Sequence, residues 1–174
     1  TTTSNLIRHM LSSCGRQAVL SGNYRQGTQV LGGVRDLDPE GFLVLEISNR
    51  HLDFGLTKHP DIAVITNVTE NHLTEYASFD DYARTKESIL GSETVGVLNK
   101  ENKQTAQMGS GAGEVHFFEK ALLPFEIKNP SLAGDHNREN AAAAYVVGGL
   151  VRLESQEMQA AFESFVAIPE RLEP

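Results

Sequence analysis

Asn23, Glu46, Ser48 and His72 each sit at or just past the end of a short apolar run. The runs are Ala18-Val19-Leu20, Phe42-Leu43-Val44-Leu45-Glu46-Ile47 and Ile62-Ala63-Val64-Ile65. If all three are parallel strands, their carboxyl ends gather a carboxylate, an imidazole and small polar groups on one edge. That edge is where open α/β sheets bind ligands. Such a donor set suits a divalent metal and a phosphate. A plainer reading competes. A Glu at a strand end is commonly solvated or paired with a base, and a lone loop His is commonly an ordinary polar residue.

Lys86 is the more unusual group. Counted from Phe79 it falls on the same helical stripe as Tyr82, Ala83, Ile89 and Leu90. Its aliphatic stem can snorkel past a core to water, which is the common case. Otherwise burial lowers its pKa and leaves a chemically competent amine. A neutral amine can combine with carbon dioxide as a carbamate, which turns a cation into an anionic oxygen ligand. Further along, Asn137 and Asn140 share a helical face with Ala141 and Ala144. Either Asp135 caps that helix and the alanines pack closely, or two carboxamides are presented that each donate and accept as a nucleobase requires. Thr1-Thr2-Thr3-Ser4 reads as a helix N-cap, or as the tail of a phosphate loop whose Gly-rich part and Lys would precede residue 1.

These residues need elements to hold them. Leu6, Ile7, Met10, Leu11 and Cys14 repeat at helical spacing, which predicts a helix over 4–14 that stops at Gly15. The three apolar runs do not alternate with polar residues, as expected of strands buried on both faces. Val95–Leu98 and Val115–Phe118 are weaker strand candidates, and 109–113 is a Gly-rich loop between them. Ser78-Phe79-Asp80-Asp81 has the form of a capping box opening a helix. Asp135 to Val151 and Gln156 to Phe165 predict two more helices. The gap from Ile47 to Ile62 is too short for a long crossover helix. Strands alternating with helices give an α/β class: a mostly parallel sheet flanked by helices.

The 174 residues carry 15 Lys+Arg against 23 Asp+Glu, for a formal charge of −8. An acid excess argues against nucleic-acid backbone binding, which needs clustered positive charge. It also gives no pull toward an anionic membrane surface. The longest apolar run, Ala141–Val151, has eleven residues, where a bilayer span needs about 20. Cys14 is the single cysteine, so neither an internal disulfide nor a multi-Cys zinc site is available. A reducing cytoplasm is the simple expectation.

Several segments, taken in order, resemble the Mur ligase family, the ATP-dependent amide ligases of peptidoglycan precursor synthesis. They are VLEIS (44–48), ITNVTENHL (65–73), SFDDYARTKESIL (78–90), GDHNRENAAAA (134–144) and IPERLE (168–173). Thr1-Thr2-Thr3 is similar to the residues that come directly after the Gly-Lys of that family's phosphate loop. SGNYRQG (21–27) and LEISNRHL (45–52) are most similar to members that add D-glutamate to UDP-N-acetylmuramoyl-L-alanine.

The resemblance implies a P-loop NTPase-like central domain over 1–174, with the start of its phosphate loop and the N- and C-terminal domains lying elsewhere. It implies ATP and Mg²⁺ as cofactors. Glu46 and His72 would bind the metal with Thr1, and Lys86 would do so as a carbamate. Lys86 and His72 would serve catalysis. Asn23 and Ser48 would line the phosphate and acyl-substrate side. Asn137 and Asn140 would face adenine with His136 nearby, and Arg171 would reach the ATP phosphates. The whole enzyme would use a UDP-linked muramoyl precursor and an amino acid in the cytoplasm, for cell-wall biogenesis, cell shape and division. The fragment alone would be inactive.

Four positions depart from the family pattern. Asn71 and Thr74 stand where Asp is usual, Asn49 where Ser is common, and Glu170 where His is common. Asn71 and Thr74 motivate a rival: a nucleotide-binding or scaffold module that kept the fold and lost catalysis. A folylpolyglutamate-synthetase-like ligase is a third reading.

Overall fold

The computed structural model describes residues 1–22, 34–70 and 75–166. Asn23, His72 and Arg171 lie outside the described residues, as do the departures at Asn71, Thr74 and Glu170. The chain divides into two units, Thr1–Glu46 with Lys120–Pro174, and Ile47–Glu119.

In the first unit, helix α1 (Thr2–Ser13) leads into β1 (Ala18–Gly22), which pairs in parallel with β2 (Phe42–Glu46). The register sets Gly22 opposite Glu46. Gly22 has φ +107, and a Cβ there would overlap the Glu46 carbonyl. Glycine is therefore what lets β1 approach the backbone that carries Glu46.

Helices α4 (Asp135–Leu150) and α5 (Ser155–Glu163) complete this unit. Ala141, Ala142, Ala143 and Ala144 are fully buried, as are Leu6, Met10 and Phe162. The alanine run is thus a packing surface, since small side chains let α1 and α4 lie close. Asp135 is not the cap that the sequence suggests. Gly134, at φ 86, precedes the helix and Asp135 is its first residue.

Asn129 closes the end of α5. Its Nδ2 donates to the carbonyls of Phe162 at 2.8 Å and Phe165 at 2.6 Å, while its Oδ1 accepts from the Ser131 N–H at 2.9 Å. Replacing Asn129 by alanine removes three hydrogen bonds, two to buried carbonyls and one from an amide, although the Phe162 carbonyl still accepts from the Phe165 N–H at 3.3 Å. The expected loss is about 2–3 kcal/mol of stability, read as a lower urea midpoint with an unchanged m-value. A loss under about 0.5 kcal/mol, the range of an ordinary surface substitution, would contradict it.

In the second unit, β3 (Ile62–Ile65), β4 (Val95–Asn99) and β5 (Glu114–Phe118) form a parallel sheet in that order. Both weaker strand candidates are full strands. The short gap before β3 holds α2 (Asn49–Asp53), just over one turn, in line with its length. Helix α3 (Phe79–Glu87) opens as a capped helix: the Ser78 hydroxyl accepts from the Asp81 N–H. Tyr82, Ala83 and Leu90 are buried with Ala63, Ile65 and Leu98, and Phe79 and Ile89 pack at the margin. The predicted apolar stripe is the face that meets the sheet. Among the described residues, no helix is long and apolar enough to cross a membrane.

Candidate functional site

Glu46 ends β2, and its carboxylate is ringed by hydroxyls from the start of α1. Thr1 Oγ1 donates to Glu46 Oε1 at 2.8 Å; Ser4 Oγ lies 3.3 Å from Oε2, but its one proton has the Thr1 carbonyl nearer, at 2.9 Å. The side chains are only 12% and 16% exposed for Thr1 and Glu46. Positions i and i+3 share a helical face, so the first turn of α1 places both hydroxyls beside the same carboxylate. These are hard oxygen donors, the kind that Mg²⁺ and Ca²⁺ take. Among the described residues no group of three His, Cys, Asp or Glu side chains gathers for a metal. A hard cation here would rest on Glu46 and the Thr1 hydroxyl, with bound phosphate oxygens completing its shell.

The same helix start reaches the amide pair of α4. Thr3 Oγ1 donates to Asn140 Oδ1 at 2.6 Å, Asn140 Nδ2 donates to Asn137 Oδ1 at 3.4 Å, and Asn137 Nδ2 donates to the Ala133 carbonyl at 3.0 Å. Both carboxamides are half-buried. Asn137 and Asn140 are thus held together, as their spacing predicts, and each keeps hydrogen-bonding capacity beyond this chain. Ser21, near the end of β1, is 4% exposed, and its hydroxyl has no hydrogen-bond partner among the described residues.

The second unit carries Lys86 and Ser48. Lys86 is half-buried on α3, with its Nζ 5.6 Å from the centre of the Tyr82 ring. Burial pushes its amine below the usual lysine range. A ring face at that distance favours the ammonium and so acts against the effect of burial. No carboxylate among the described residues pairs with this lysine. Its intermediate burial fits both a stem that snorkels to water and an amine held at a site.

Ser48 precedes α2 and interacts with His51. The Ser48 N–H donates to His51 Nδ1 at 3.2 Å. A backbone amide can only donate, so Nδ1 carries no proton. The Ser48 hydroxyl, 2.9 Å from that nitrogen, is then a second donor to it. Asn49, one of the departures, has a structural partner. Its Nδ2 donates to Tyr76 Oη at 2.9 Å, and Tyr76 Oη donates to Asp53 Oδ2 at 2.8 Å. Burial, ahead of the Asp53 carboxylate, raises the Tyr76 phenol above its ordinary pKa.

The structure thus joins Thr1 to Glu46 and Asn137 to Asn140, and places Lys86 and Ser48 in the other unit. Thr3, Ser4, His51 and Tyr82 contact the candidate residues, which their residue types alone do not announce. The i, i+3 relation of Thr1 and Ser4 is an available signal for one of them.

Solved structures share this fold. A UDP-N-acetylmuramoyl-L-alanyl-D-glutamate--2,6-diaminopimelate ligase matches at a TM-score of 0.75 with 19% identity, covering 99% of this chain and 45% of that one. MurF from Acinetobacter baumannii matches at 0.74, also with 19% identity and the same coverage. In sequence, the UDP-N-acetylmuramoylalanine--D-glutamate ligase of Desulfatibacillum aliphaticivorans is 29% identical over 99% of this chain and 44% of its own length. The protein of the same name from Roseobacter denitrificans is 31% identical over 98% and 43%. The chain spans less than half the length of these curated relatives. The profile of the Mur ligase middle domain matches residues 1–122. With an α/β fold of parallel strands and this family match, the chain belongs to the Mur ligase family as a middle domain.

Proposed function

We propose that the whole protein is an ATP-dependent, ADP-forming ligase of peptidoglycan precursor synthesis, which joins an amino acid to a UDP-linked muramoyl precursor in the cytoplasm. The relatives' names favour D-glutamate as the amino acid and UDP-N-acetylmuramoyl-L-alanine as the acceptor. In that reaction ATP phosphorylates the acceptor carboxylate. The amine attacks the acyl phosphate, and amide, ADP and phosphate leave.

The observation that carries the reading is the Thr1–Glu46 contact at the end of β2. It sets a carboxylate and a hydroxyl where a parallel sheet presents ligands. Bound Mg²⁺ would supply charge neutralisation on the transferring phosphoryl group. The Thr1 hydroxyl orients one carboxylate oxygen of Glu46, and Ser4 Oγ stands 3.3 Å from the other. The Asn137–Asn140 pair would receive the base. Lys86, a half-buried amine with a lowered pKa, would act as its carbamate, with His72 beside the metal and Asn23, Ser48 and Arg171 toward the substrates. This work is positioning and electrostatics.

Calorimetry with ATP tests the nucleotide half of this reading. The expected result is binding that strengthens when Mg²⁺ is added and disappears in Glu46→Ala. Absence of binding with and without Mg²⁺ contradicts it. Binding without turnover on any acceptor favours the non-catalytic module that Asn71 and Thr74 suggest.

A further inference from the structure

Thr3 follows Thr1 in the run that resembles the tail of a phosphate loop, but its hydroxyl does not go to Glu46 as that of Thr1 does. Its hydroxyl instead makes the shortest link of the chain that runs through Asn140 and Asn137. The direction of that chain is fixed at its far end. The Ala133 carbonyl can only accept, so Asn137 must turn its Nδ2 toward it. Asn137 Oδ1 then faces Asn140, which must present Nδ2 in return, and Asn140 Oδ1 is left for a donor. Thr3 is that donor.

The two holds on Asn140 are unequal. The bond from Thr3 is 2.6 Å long and the bond to Asn137 is 3.4 Å. Asn137 is tied to backbone, but Asn140 depends mainly on one hydroxyl. With that hydroxyl in place, Asn140 keeps one N–H and one oxygen lone pair in known positions. A donor beside an acceptor complements the amino group and N7 of adenine. It does not complement a purine with an oxygen at C6, which presents two acceptors.

We propose that Thr3 is a positioning residue for base selection: its hydroxyl locks the Asn140 carboxamide in the orientation that distinguishes a 6-amino from a 6-oxo purine. This rests on the reading that the Asn137–Asn140 pair receives the base of ATP. Thr3 does not touch the nucleotide; it acts through Asn140.

The test is calorimetry on the whole protein with three probes: MgATP, MgITP and magnesium tripolyphosphate. ITP differs from ATP at the C6 group, and tripolyphosphate has no base. The parent protein should bind ATP more tightly than ITP. Thr3→Val keeps the side-chain shape and removes the donor. It should lower the ATP-to-ITP preference by about three- to tenfold, the scale of one hydrogen bond, and leave tripolyphosphate binding unchanged. Thr3→Ser restores the hydroxyl and should restore the preference. Thr3→Ala, read the same way, serves if the valine protein does not fold. An unchanged preference in the folded variant overturns the inference. So does an equal loss for ATP and tripolyphosphate, which places Thr3 at the phosphate end. A parent protein that binds no ATP fails at the first titration, which identifies the nucleotide reading as the error.

Discussion

Replacing Lys86 by alanine in the whole protein should lower turnover by about a thousandfold, the upper scale for loss of one preorganised charged group. The stability of the fold should change little. The amine is half-buried on α3 over the Tyr82 ring, burial has lowered its pKa, and no carboxylate among the described residues pairs with it. A lysine with a depressed pKa holds more neutral amine near pH 7, the form that combines with carbon dioxide. Small carboxylates or chloride should partly rescue the alanine variant, by occupying the space that the anionic carbamate leaves. Lys86→Arg should be as inactive as the alanine variant and should not respond to them. It keeps a cation over Tyr82, but its guanidinium does not give up its proton. Steady-state ADP release measures both variants against the parent. Near-normal activity in Lys86→Ala without added anions sinks the carbamate role.

Glu46→Gln should be the second large effect, about a hundredfold in kcat with a raised requirement for Mg²⁺. Glutamine keeps the shape and one oxygen for the Thr1 hydroxyl, so β2 and its pairing with β1 should survive. What it removes is the negative charge that the Thr1 hydroxyl now orients. The two roles of Glu46 separate in the data. If the carboxylate only ties α1 to β2, the variant should lose about 1 kcal/mol of stability and keep its turnover. If it binds the metal, turnover falls, and raising Mg²⁺ recovers part of it.

The strands were legible because their sequences are short apolar runs, but the expected cover on both faces fails for β2, where Leu43 and Leu45 are exposed. β3 has the bounds its sequence suggests, and β1 gains Ser21 and Gly22 through pairing opposite Leu45 and Glu46. Pairing is a long-range property, so local pattern stops short of it. α3 was legible from Ser78 and the Phe79–Tyr82–Ala83 stripe. The start of α4 differs from its sequence pattern because Asp is a strong capping type, whereas the backbone there turns through a positive φ that Gly134 supplies.

The site was legible in its residue types and only partly in its contacts. Glu46 stood out as an acid at a strand end, yet its partners Thr1 and Ser4 lie more than forty residues away in sequence. Asn140 stood out as an amide on an alanine face. The hydroxyl that holds it, Thr3, is separated from it by 137 positions. Asn49 looked like a departure from family pattern, and its hydrogen bond to Tyr76 shows what the amide does there. Single residue types announce chemistry, but their orienting partners come from the fold.

Amide formation driven by ATP is measured directly as ADP release from the whole protein with MgATP, UDP-N-acetylmuramoyl-L-alanine and D-glutamate. The expected outcome is ADP release that requires both substrates and matches the amide product in amount. Omitting either substrate should return it to background, and a folate acceptor should not replace the muramoyl one. The proposed ligase activity fails if ADP release ignores the substrates, or if none occurs with any muramoyl acceptor and amino acid while MgATP still binds.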